Sequence, residues 1–178
     1  MNFNSENIYG DIILDSSIKN NHGINNGVTH NPISGFNGGG AYNFDAIDDY
    51  IMLDDQGDTF AKSMCDNGCS MCVWAKPEYD NHDNWQYIFG RFDTTGTGGL
   101  LVLHGVQSAT GTLTMTMYGA GESDSVALTA SSGATLEAWN YICYVYDGSN
   151  TTLGNTMIYN NGVLLETSAT QIQINSSY

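Results

Sequence analysis

The segment GTLTMTMYG at 111–119 alternates without a break, with Leu113, Met115 and Met117 on one side and Thr112, Thr114 and Thr116 on the other. Period two with one apolar side marks a strand whose sheet is covered on a single face. Helical periodicity is almost absent from the rest of the chain. Short runs rich in Val, Ile, Thr, Tyr and Phe stand between Gly, Asn, Asp and Ser instead. They read as strands at 41–45, 49–53, 70–77, 86–92, 99–104, 111–119, 125–130, 140–147, 155–160 and 163–169. Asn161-Gly162 joins the last two runs, and this dipeptide accepts the positive φ angles of a tight hairpin turn. The spacing predicts an all-β chain, a two-sheet antiparallel β-sandwich or jelly roll. At 178 residues, with no linker or repeat dividing it, the chain is expected to form one domain over 1–178.

Charge narrows the partners. Only Lys19, Lys62, Lys76 and Arg91 oppose nineteen acids, for a net charge of −15. Neutralising phosphate needs cations, so nucleic acid and anionic membrane surfaces are poor partners. Cations, neutral sugars and basic proteins remain. No run of about eighteen apolar residues is present, so membrane insertion is not expected. The opening MNFNSENIYG has neither a basic start nor an apolar stretch. It lies so close to structured sequence that either a leader lost upstream or a chain that is a fragment of a longer protein is expected. An extracellular or surface location is the expectation.

Cys65, Cys69 and Cys72 cluster, and Cys143 stands alone in WNYICYVYD. Zinc knuckles pair closely spaced cysteines with a second such pair or with histidines, and neither is present here. Disulfides suit a secreted chain better. Of the three pairings, Cys65–Cys69 with Cys72–Cys143 is preferred, and buried free thiols are the alternative.

GGGAYNFDAIDDYIML at 38–53 could be a phosphate loop, a calcium loop or plain strand–turn–strand. A phosphate loop needs Gly-Lys-Ser/Thr or a following helix, and an EF-hand needs a different carboxylate spacing and a terminal Glu. Neither pattern is met, which leaves strand, turn, strand. Strand parity sends Asp48 and Asp49 to opposite faces, so both are read as poor ligands, one of them bonding a turn.

The order of DSSIKNNHGINNG (15–27), GFNGGGAYNFDAIDDYIML (35–53), SMCVWAKP (70–77), WNYICYVYDG (139–148) and YNNGVLL (159–165) resembles the laminin-G-like jelly rolls of the concanavalin A-like lectin/glucanase superfamily. Ala46 stands where such domains usually carry glycine. They also continue into a Gly-x-Ile-Asp-Glu strand, so this chain is expected either to lack its C-terminal strand and leave a sheet edge open, a route to homo-oligomers, or to close its terminal strands differently. Glucanases of the superfamily carry Glu-x-Asp-x-Glu on one strand. Here Glu122-Ser-Asp124 begins that pattern, but Val126 and Ala127 occupy the places of its second Glu. No catalytic residues are assigned, and the chain is read as leaning away from enzyme function.

Two binding sites are expected. Asp15, Asn20 and Asn21 offer hard oxygens in a glycine-punctuated loop, which the resemblance implies helps to hold a structural Ca2+. The competing reading is that these side chains only close turns. In EYDNHDNWQY (78–87), Tyr79, Trp85 and Tyr87 offer flat apolar surfaces for a sugar, with Asp80 and Asp83 to bond its hydroxyls. Packing of Trp85 on the sandwich end is the alternative. Trp74 and Trp139 are expected in the core. The function expected is a non-catalytic carbohydrate-binding or adhesion module, probing a carbohydrate or glycosylated surface with calcium assisting. The alternatives are a structural, protein-binding surface module (viral, phage or cellular) whose partner is another protein chain, or a polysaccharide hydrolase.

Overall fold

A computed structural model of the protein describes residues 8–53, 68–78, 85–91, 102–107, 109–118, 125–148 and 156–168. The chain forms two compact units, Met1–Asp58 and Thr59–Tyr178. Almost everything described is antiparallel strand and turn, as the alternation predicts.

The first unit contains β1 (Ile8–Tyr9), β2 (Ile12–Ile13), β3 (Gly23–Asn26), β4 (Thr29–Asn31), β5 (Ala41–Asn43) and β6 (Tyr50–Leu53). Four of these pair in the order β1-β2-β3-β6, and β4 pairs with β5 as a separate ribbon. Ile13 and Val28 are its buried apolar side chains among the described residues. The strands β1 to β4 are absent from the sequence reading. They are two to four residues long, and GINN and THN carry almost none of the β-branched or aromatic residues that mark a strand.

The second unit holds two four-stranded sheets. One runs β11 (Ser125–Ala130), β10 (Thr112–Tyr118), β9 (Val102–Gln107), β8 (Trp85–Arg91), and the other β14 (Val163–Thr167), β13 (Thr156–Asn160), β12 (Asn140–Tyr146), β7 (Cys69–Ala75). The alternation in β10 has the predicted consequence: Leu113 and Met115 are fully buried, and the threonines between them are not. They meet Val106 and Leu128 of their own sheet and Ile142, Tyr144 and Ile158 of the facing one in a single core. Full burial of one such side chain stabilises by about 1.5–3 kcal/mol, so this seam holds the two sheets together.

One polar cluster closes the end of the core. Asn140 has no exposed surface. Its Oδ1 accepts from the Thr135 N–H at 2.9 Å and from Asn160 Nδ2 at 2.9 Å. Its Nδ2 donates to the carbonyls of Thr135 (2.8 Å) and Ala138 (2.7 Å). The side chain therefore supplies partners that the 133–138 turn cannot find in a ladder.

Register fixes which residues share the outer face of the β14-β13-β12-β7 sheet. Trp74 lies opposite Tyr141, and the next row reads Cys72, Cys143, Tyr159, Leu164. A third row reads Ser70, Val145, Met157, Thr167. None of the three rows carries a charged side chain. The hairpin between β13 and β14 is the expected two-residue turn, with Asn161 at φ 51° and Gly162 at φ 80°.

The expected loss of a C-terminal strand concerns residues 169–178 and beyond, outside the described residues.

Candidate functional site

The N-terminal loop folds around one carboxylate. Asp15 Oδ1 accepts the Ser17 N–H at 2.8 Å. Its Oδ2 accepts the Ser17 hydroxyl at 2.5 Å and the Asn21 N–H at 3.0 Å. The Asp15 N–H in turn donates to His22 Nδ1 at 3.0 Å. These bonds, the Ser17 hydroxyl first, hold the Asp15 carboxyl below the usual aspartate value. Asn20 takes the left-handed conformation (φ 55°), and its carbonyl accepts the His22 N–H at 2.9 Å. The structure thus brings Asp15, Asn20 and Asn21 into one loop, with Asp15 acting as a turn-closing acceptor. Both of its oxygens are engaged, whereas calcium asks for six to eight oxygen ligands. The bonds present are those of a turn.

A second acidic group forms where strand parity does not apply. Residues 44–49 are a turn and not strand, and carboxylate oxygens of Asp45, Asp48 and Asp49 lie within 4.8 Å of one another. Placing Asp48 and Asp49 on opposite faces is therefore corrected, because β6 begins only at Tyr50. Asp49 Oδ2 accepts the Asp45 N–H at 2.8 Å, and Asp45 Oδ1 accepts the Ile47 N–H at 2.8 Å. Asp49 also lies against Gly27 (φ 86°), where a Cβ would collide with its carboxylate. Exposed acids gather like this without an ion, and these hydrogen bonds make the group a turn first.

Of the 78–87 segment, Tyr79, Asp80 and Asp83 lie outside the described residues. Trp85 opens β8, and Tyr87, two positions on, is 61% exposed. Glu122 and Asp124 also lie outside the described residues.

Cys72 and Cys143 form a disulfide between directly opposed positions of β7 and β12. Cys69 is disulfide-bonded as well; Cys65 falls outside the described residues. In the next row from the Cys72–Cys143 bridge stands a pair of which sequence reasoning placed one member, Trp74, wrongly. Trp74 is 40% exposed and Tyr141 is 37% exposed, with ring centroids 5.1 Å apart and planes tilted by 35°. Trp74 is not a core residue: Met71 and Val73 pack inward, which sends Cys72 and Trp74 to the outer face. Trp139, half-buried, lies just before β12. The same face runs into an open hollow lined in part by Ser70, Val145, Asp147 and Met157.

A laminin G family profile, described as the concanavalin A-like lectin/glucanases superfamily, matches residues 24–177. The chain belongs to this superfamily. The match crosses the boundary between the two units and takes in every strand from β4 to β14. No curated protein and no solved structure matches the chain. The superfamily contains both lectins and glucanases, so the fold alone does not choose between binding and hydrolysis. Among the described residues no helix is long and apolar enough to cross a membrane.

Proposed function

We propose that this lectin/glucanase-superfamily chain is a non-catalytic carbohydrate-binding or adhesion module of a secreted or cell-surface protein. The observation that carries the reading is Tyr87, a large aromatic held on a strand yet 61% exposed, in the segment the sequence marks for sugar contact. An aromatic face on a rigid element suits the CH face of a sugar, and Asp80 and Asp83, of the same sequence segment, suit its hydroxyls. Disulfide-bonded β7 and β12 support an oxidising compartment. Catalysis finds no support in the sequence, which lacks the paired glutamates of the glucanases.

An assisting calcium at the Asp15, Asn20 and Asn21 loop belongs to this reading through the family resemblance alone, and binding it would require Asp15 to exchange its turn bonds for the ion. A glycan array probed with calcium and again with chelator tests the whole reading. Retention on glycans that Tyr87→Ala weakens supports it, and an array without a hit in either condition counts against it. Thermal unfolding tests the metal separately. Calcium at about a hundred times its dissociation constant adds roughly 2.7 kcal/mol, a shift that Asp15→Ala would remove. An unchanged melting temperature would leave Asp15 as a turn residue alone.

A second reading is favoured by β14, which borders its sheet among the described residues and exposes Val163 (61%) and Leu164 (49%). Such an edge suits another protein chain as partner. Light scattering after size-exclusion chromatography separates the readings, since a strand-pairing module gives stable oligomers.

A further inference from the structure

We infer that the outer face of the β14-β13-β12-β7 sheet is a second binding surface, built for an uncharged, extended polysaccharide lying on Trp74 and Tyr141. This goes beyond the Tyr87 segment and rests on the sugar-recognition reading, but not on that segment. Three observations carry it. Trp74 and Tyr141 are cross-strand neighbours, both more than a third exposed, so one pair of rings in mutual contact stands on the sheet surface. The Cys72–Cys143 bridge lies in the next row and ties the two strands that carry the rings, which lowers the ordering cost of binding. The rows across this face, out to Leu164 and Thr167, carry no charge, in a chain whose net charge is −15.

Charge selects the occupant. An anionic polymer is repelled by the chain as a whole, and a second copy brings another −15. A cationic partner is drawn to the acidic surfaces elsewhere and finds no counter-charge within the three rows, Asp147 standing only at their margin. A neutral glycan pays neither cost. Its CH faces match the rings and the aliphatic rows, and hydroxyl-bearing Ser70, Tyr141 and Thr167 can meet its hydroxyls. Asp147, in the hollow that adjoins Ser70 and Val145, adds an acceptor at the margin.

Native gel retardation of the full chain tests this with a soluble mixed-linkage β-glucan, xyloglucan and galactomannan, and with alginate as the anionic comparison. The expected result is retardation by at least one neutral polymer and none by alginate. Trp74→Ala and Tyr141→Ala are each expected to weaken it by about tenfold, the worth of one ring's buried face. Trp74→Phe should restore most of the loss, and Ile33→Ala, an exposed apolar residue of the first unit, should change nothing. Thermal unfolding of each variant confirms folding, and Tyr141→Ala decides if Trp74→Ala does not fold. Retardation lost in Tyr87→Ala but kept in Trp74→Ala and Tyr141→Ala would overturn this inference and leave the sugar reading standing. Retardation by none of the neutral polymers would overturn both. Sedimentation of the free protein as a dimer that Trp74→Ala dissociates would give the face to a second copy and overturn it as well.

Discussion

Ala46 sits at φ 63°, a conformation that L side chains adopt at a cost of roughly 1–2 kcal/mol. Related domains usually place glycine there, and the turn explains why. Ala46→Gly is expected to stabilise the protein by about 0.5–1 kcal/mol, the relief of strain outweighing the added freedom of the unfolded chain. A higher urea midpoint at unchanged slope would show it. Asp15 makes a pH-dependent contribution. Its folded pKa lies below the ordinary 3.8, so the stability it adds is full above that value. It fades as pH falls through the lowered value. The deficit of Asp15→Ala relative to wild type should therefore be largest at neutral pH and vanish in strong acid, as unfolding curves across that range would record. Asn140 is the most exacting of the buried polar residues. Asn140→Ala strips partners from the Thr135 N–H and from two carbonyls, and should cost about 2–4 kcal/mol in denaturant unfolding.

Among the elements, the β7–β12 pair takes part in both the core and the proposed surface. Its disulfide closes a loop with a sequence separation of 71, and replacing both Cys72 and Cys143 by serine should cost about 2–4 kcal/mol. The variant should melt lower while keeping its far-ultraviolet β signature. Strands from β5 onward were legible because their residues are β-branched or aromatic and their turns carry Gly and Asn. Asn161-Gly162 gave even the loop length. β1 to β4 were not: β1 and β2 are apolar but only two residues long, and β3 and β4 are short polar segments of weak propensity held by pairing within the first unit. The misplacement of Trp74 has a different cause. In CSMCVWA both faces of the strand are apolar, so alternation alone cannot say which face is the core. Only the register against β12, with Ile142 inward and Tyr141 outward, decides it. The Asp45, Asp48 and Asp49 group was hidden for a related reason: parity was applied across a turn.

On the scale of the whole molecule, the net charge of −15 disfavours anionic partners, and the superfamily fold supplies sheets on which aromatic rings can stand. If recognition runs through uncharged aromatic surfaces, raising the salt concentration should leave glycan affinity within about twofold, since there is no ion pairing to screen. An affinity that collapses with salt would point to a basic protein partner instead. The central claim is binding without hydrolysis. The most direct measurement incubates the full chain with the neutral polysaccharides and records, on the same samples, the fraction of protein retained and the reducing ends released. Retention with reducing ends at the level of the protein-free blank is the predicted result. New reducing ends, or no retention on any of the polymers, would contradict it.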